Sequence, residues 1–184
     1  IKILMKYCCF VLGILLFITV LLGYTNLGNL PTNKNQENRF LTIGNEKIRF
    51  SQKGQGKDIL LIHGTPGSIE DWNEIVDSLS IDYRVTAFDR LGHGFSSSNQ
   101  YNYHLKDNAN TVENLINHLN LKYPLIVGHS YGGSIAAFMA VNSELKNREY
   151  ILIDSPLYNY QPSTIYKLVA TPILGKGMAL FASY

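Results

Sequence analysis

With 184 residues and a formal net charge of +2, the chain has room for one soluble domain and lacks the basic surface that a nucleic-acid partner requires. Apolar residues at 46% against 16% charged exclude a disordered chain and fit a globular domain joined to a membrane segment. The two cysteines, Cys8 and Cys9, are adjacent inside the first apolar stretch, so they support neither a disulfide framework nor a metal site and read as small apolar filler.

From Tyr7 to Tyr24 the chain carries no charge and is long enough to cross a bilayer. A cleavable signal would have a shorter apolar core and a small-x-small site, which Leu22-Gly23-Tyr24-Thr25-Asn26 supplies poorly. Residues 1–24 are therefore expected to be an uncleaved, single-pass anchor. Lys2 and Lys6 hold its start in the cytoplasm, so the following domain faces outward, although Lys34 and Arg39 reduce the contrast. Residues 25–38 are polar and Asn-rich, without apolar periodicity, and form a linker.

The folded part spans residues 39–156. Phe40 to Ile43 and Glu46 to Phe50 alternate around Gly44-Asn45, which predicts a β-hairpin. Ile59 to Ile62 reads as a buried strand ending at His63-Gly64-Thr65-Pro66-Gly67. Trp72 to Leu79 has helical period, with Trp72, Ile75, Val76 and Leu79 on one face. Tyr83 to Phe88 is the next strand and ends at Asp89. Leu105 to Leu119 is a helix with Leu105, Ala109, Val112, Leu115, Ile116 and Leu119 spaced at threes and fours. Leu125 to Val127 and Tyr150 to Ile153 are short, branched runs expected of strands buried on both faces. Strands alternating with helices predict an α/β fold with a doubly wound, mainly parallel sheet, whose ligand site lies beyond the strands' carboxyl ends. His63, Asp89, Ser130 and Asp154 all fall there.

The most informative stretch is Gly128-His129-Ser130-Tyr131-Gly132-Gly133, set between the strand at Leu125 and the apolar helix Ile135 to Ala140. A serine on a sharp strand-to-helix turn adopts a strained backbone, and side chains two positions either side would strike the neighbouring strand and helix. Gly128 and Gly132 remove those side chains. The hydroxyl then projects over the end of the sheet beside a helix N-terminus that favours developing negative charge. A Gly-x-Ser-x-Gly also occurs by chance in loops, but here strand and helix flank it on the correct sides.

Three motifs in order, His63-Gly64-Thr65-Pro66-Gly67, Asp89-Arg90-Leu91-Gly92-His93-Gly94-Phe95-Ser96 and Gly128-His129-Ser130-Tyr131-Gly132-Gly133, resemble the α/β-hydrolase superfamily over residues 40–156. The resemblance implies Ser130 as nucleophile and an oxyanion hole made by the backbone N–H groups of Tyr131 and Thr65. It gives His63, Gly64, His129 and the turn from Asp89 structural roles. Serine instead of aspartate at the elbow disfavours dehalogenase or epoxide-hydrolase chemistry and leaves an ester, thioester or amide as the acyl substrate, with no cofactor and no metal. The mechanism needs a histidine to take the serine proton and a carboxylate to orient it.

Here the chain departs from the pattern, in which the acid and then the histidine follow the serine. No histidine follows His129. His93 sits on a loop at the right end of the sheet, whereas His104 and His118 are expected in solvent. Asp154 ends the sixth strand, where some members carry their acid, although an Asp-Ser-Pro turn accounts for it equally. Residues 157–184 read as short apolar helices at the start of a cap. The expectation is the N-terminal part of a longer, membrane-anchored serine hydrolase; the alternative is a hydrolase-like remnant or binding module that does not turn over.

Overall fold

The computed structural model describes residues 39–97, 104–142 and 148–157, together with Val11, 13–15, Phe17 and Ile18, which are helical. Most of the expected anchor over 1–24, the linker 25–38 and all of the cap 157–184 except Leu157 lie outside the described residues. Among the described residues no helix is long and apolar enough to cross a membrane.

Among the described residues six strands, all within the compact unit Thr32–Tyr160, form one sheet: β1 Arg39–Ile43, β2 Glu46–Lys53, β3 Lys57–Ile62, β4 Tyr83–Phe88, β5 Leu125–His129 and β6 Tyr150–Ile153. Their spatial order is β1-β2-β4-β3-β5-β6. β1 pairs with β2 across the Gly44-Asn45 turn and β2 runs antiparallel to β4, while β4, β3, β5 and β6 are mutually parallel. The predicted mainly parallel sheet is thus present, with its antiparallel part confined to one edge.

Side chains alternate across a strand, so the consecutive apolar residues of β3 feed two cores at once. Leu60 and Ile62 point into one cluster with Ile126, Phe88 and the buried faces of two helices, α2 Leu105–His118 and α3 Tyr131–Asn142. Ile59 and Leu61 point into another with Val85, Ala87, Val127, Ile69, Trp72 and Val76. Each fully buried aliphatic side chain contributes about 1.5–3 kcal/mol, and together they fix the parallel strands and hence the loops beyond their ends. In α2 the face built on Ala109, Val112, Leu115 and Ile116 is the one the spacing predicts.

Two expectations need correction. The helix expected from Trp72 begins earlier as a 3-10 turn, Ile69–Trp72, followed by α1 Asn73–Leu79. Three residues per turn align Ile69 with Trp72, and the next α-turn adds Val76. That phase leaves Ile75 43% exposed instead of on the buried face. The second concerns β6, expected to be buried. Ile151, Leu152 and Ile153 are each more than a third exposed, and among the described strands β6 has a neighbour, β5, on one side only.

Candidate active site

Ser130 is the single residue between β5 and α3, and its φ of +51° is in the left-handed region that a non-glycine residue seldom enters. Hydrogen bonds on both sides hold it there. Its N–H donates to the Ile153 carbonyl at 2.8 Å, and its carbonyl accepts from the N–H groups of Gly133 at 2.9 Å and Ser134 at 3.2 Å. Such a conformation costs on the order of 1–3 kcal/mol and persists where its surroundings over-determine it. A Cβ at Gly132 would run into the carbonyl of Ile62, and one at Gly128 would lie 2.6 Å from the Gly133 Cα. Only glycine lets strand and helix close on the turn this tightly.

The loop after β3 lies against the serine. A Cβ on Gly64 would sit 2.9 Å from the Ser130 Cβ and 3.3 Å from His129 Nδ1, so the loop bearing Gly64 and Thr65 forms one wall beside residue 130. His63 is fully buried, and both of its ring nitrogens are engaged. Nδ1 donates to the Gly64 carbonyl at 2.8 Å, and Nε2 accepts the Arg90 N–H at 2.9 Å. Burial, with the nearby Arg90 charge and His93, holds the pKa of His63 well below the ordinary imidazole value. It is therefore a neutral strut of fixed tautomer.

Beyond β4, Asp89 organises a second brace. Its carboxylate accepts from Arg49 Nε at 2.6 Å and Nη2 at 3.1 Å, from the Ile69 N–H at 2.9 Å and from the Phe95 N–H at 2.7 Å. Arg49, itself buried in β2, also bridges Glu70 at 2.9 and 2.6 Å. Burial opposes ionisation of Glu70, but the bonds from Arg49 and Ser68 outweigh it and hold the carboxyl below its usual range. Asp89 thus ties β2, the 3-10 turn and the glycine loop together.

His93 is turned towards Arg90, with Nδ1 donating to the Leu91 carbonyl at 3.2 Å and Nε2 lying 3.1 Å from Arg90 Nη2. Burial and the Arg90 charge lower its pKa to about 4. That is a weak base facing a cation, which does not suit it to deprotonate a serine. His104 and His118 are exposed on and beside α2. Asp154 follows β6 with φ +46° and is exposed, one residue beyond the carbonyl that receives the Ser130 N–H. Among the described residues no group of His, Cys, Asp and Glu is arranged to hold a metal ion.

A serine on a left-handed turn between a buried parallel strand and a helix, walled by a His-Gly loop, is a recognisable arrangement, and the sequence profile described as alpha/beta hydrolase fold matches residues 58–170. The chain belongs to the α/β-hydrolase family. An uncharacterised protein of Mycobacterium tuberculosis H37Rv is 30% identical over 142 residues, covering 77% of this chain and 42% of that protein. The soluble epoxide hydrolase of Corynebacterium sp. strain C12 is 30% identical over 111 residues, 60% of this chain and 39% of the relative. The structure of an α/β hydrolase fold protein from Burkholderia ambifaria superposes with a TM-score of 0.64 at 17% identity, over 78% of this chain and 70% of that one. The chain spans less than half the length of these curated relatives.

Within this α/β-hydrolase site the structure brings together His63, Gly64, Gly128, His129, Ser130 and Gly132, with Asp89 as a brace one layer out. Sequence reading missed Arg90 and Arg49. A charged residue just after a strand, or alternating along a hairpin strand, reads as solvated, yet both are 1% exposed. The signal was present only as unusual charge beside apolar runs, and it takes the tertiary fold to distinguish that from a surface.

Proposed function

We propose that the full-length protein is a membrane-anchored serine hydrolase that cleaves an ester, thioester or amide through an acyl-enzyme on Ser130. The observation that carries this reading is the left-handed Ser130 directly beside Gly64 at the carboxyl ends of β3 and β5. In this reading the Ser130 oxygen attacks the acyl carbon and the backbone N–H groups of Tyr131 and Thr65 receive the oxyanion, each contributing about 3 kcal/mol to lowering the barrier. The tetrahedral intermediate then expels the leaving group, and water releases the acyl group from the serine. The family's chain order puts the histidine base after the serine, so the proposal concerns the full-length protein, with Asp154 a candidate for the orienting acid. Relatives named for epoxide hydrolysis or haloalkane dehalogenation belong to chemistries that use a carboxylate at the elbow, and serine stands there in this chain. Residues 7–24 would hold the domain at the outer face of the membrane.

The test is labelling of the full-length protein with a fluorophosphonate, alongside hydrolysis of short p-nitrophenyl esters. Ser130→Ala is expected to abolish labelling and to lower kcat by roughly 10⁴-fold or more, with an unchanged thermal transition. A folded wild-type protein that takes no label would overturn the reading in favour of a non-catalytic binding module.

A further inference from the structure

Arg90 is a buried charge that bonds the loop beside Ser130 at several points. It lies two residues past the end of β4, is 1% exposed, and reaches back into the loop after β3. Nε donates to the His63 carbonyl at 3.1 Å, Nη2 donates to the Gly64 carbonyl at 2.8 Å, and Nη2 also donates to Thr65 Oγ1. Its own N–H is held by His63 Nε2 at 2.9 Å. On the other side its Cζ lies 5.0 Å from the centre of the Tyr131 ring. One guanidinium therefore touches the loop that bears Thr65 and the residue that follows the nucleophile.

The chemistry of the peptide group gives this contact a specific effect. The Gly64 carbonyl and the Thr65 N–H belong to one planar unit and, in the trans form, point in opposite directions. Clamping the oxygen aims the hydrogen. Two donors converge on that oxygen, Arg90 Nη2 and His63 Nδ1, each at 2.8 Å, and the bond from the guanidinium is charge-assisted and about twice as strong as a neutral one. Withdrawing electron density at the carbonyl also strengthens the N–H as a donor. The Tyr131 ring, attracted to the same cation, seats the first turn of α3 against the loop.

We propose that Arg90 is a positioning residue of the oxyanion hole, which holds the Gly64–Thr65 peptide and Tyr131 so that their N–H groups converge on one oxygen beside Ser130. The inference rests on the serine-hydrolase reading. Packing alone does not call for an arginine: burying a charge is costly, and an apolar side chain of similar volume often serves stability as well or better. What a planar fork provides is several acceptors held in fixed relative directions, which a lysine ammonium does not reproduce.

The experiment compares Arg90→Lys, Arg90→Met and Ser130→Ala in the full-length protein, reading kcat and KM for a p-nitrophenyl ester and the Ki of an alkyl boronic acid, whose tetrahedral adduct mimics the oxyanion. Both Arg90 variants are expected to lose roughly 10- to 100-fold in kcat, less than the ~10²–10³ for deleting a donor outright. KM should stay within about twofold, and the boronate Ki should rise by the factor that kcat falls, since only the transition-state interaction is lost. Arg90→Lys decides the matter if Arg90→Met does not fold. Inactive Ser130→Ala alongside folded Arg90 variants with wild-type kcat and Ki overturns the role of Arg90 alone. Ser130→Ala that keeps its activity overturns the hydrolase reading and this inference with it.

Discussion

At the scale of single residues, the space between Gly64 and Ser130 controls the site. A methyl group on Gly64 would meet the Ser130 Cβ at 2.9 Å, closer than two carbon atoms tolerate, so either the loop or the elbow must move. On the proposed serine-hydrolase reading, Gly64→Ala in the full-length protein is expected to lower kcat by about 10- to 100-fold, since displacing a reacting group by about an ångström costs on that order. Stopped-flow labelling of Ser130 by a fluorophosphonate, together with circular dichroism, would separate lost reactivity from lost fold. Gly128 and Gly132 were legible in the sequence because a glycine that relieves a clash leaves a fixed spacing around the residue it serves, here Ser130; Gly64 was expected only from the family resemblance of its motif. Arg90 and Arg49 were not legible. Their partners lie on the loops and the 3-10 turn that follow β3 and β4, far from them in sequence, and although Arg90 stands inside the motif that begins at Asp89, the motif alone does not tell what its guanidinium meets.

Among the elements, the loop after β4 depends on one carboxylate. Asp89→Ala leaves Arg49 buried with Glu70 and removes the acceptor for the N–H groups of Ile69 and Phe95. Breaking a buried pair in this way costs about 3–5 kcal/mol, which guanidinium denaturation would register as a lower midpoint with little change in slope. The strands and α2 were all located because apolar periodicity is a local property that the sheet only has to accept, but β2 runs three residues past its expected end and β3 and β5 are each two residues longer than their apolar runs, since backbone pairing continues where the side chains turn polar or small. The misread phase of α1 has a physical cause: the 3-10 turn has a different period, and four residues are too few to reveal it. The exposure of β6 was not legible because a run of branched residues reports that a strand prefers burial, not which segment covers it.

For the whole molecule, buried imidazoles make stability depend on pH. The unfolded chain protonates His93 near the ordinary value of 6.5, the folded one only near 4. Between those values the unfolded state binds more protons. The stability contributed by neutral His93 is therefore complete above pH 6.5, declines as the pH falls towards 4 and is lost below it. His93 accounts for a loss on the order of 3 kcal/mol, and His63, shifted in the same direction, adds to it. Urea midpoints between pH 4 and 8 are expected to show this decline, and His93→Asn should flatten it.

The place of β3 between β4 and β5 has a consequence for the newborn polypeptide. The wall carrying Gly64 emerges from the ribosome well before the turn at Ser130, and the strand that docks beside it is translated later still than β4. Until β5 docks, the side of Gly64 that meets Ser130 lacks that neighbour, although Arg90, just past β4, bonds the same loop from the other side. The pairing of β5 with β3 is therefore the step that brings Ser130 against the Gly64 loop, and the site cannot assemble before it.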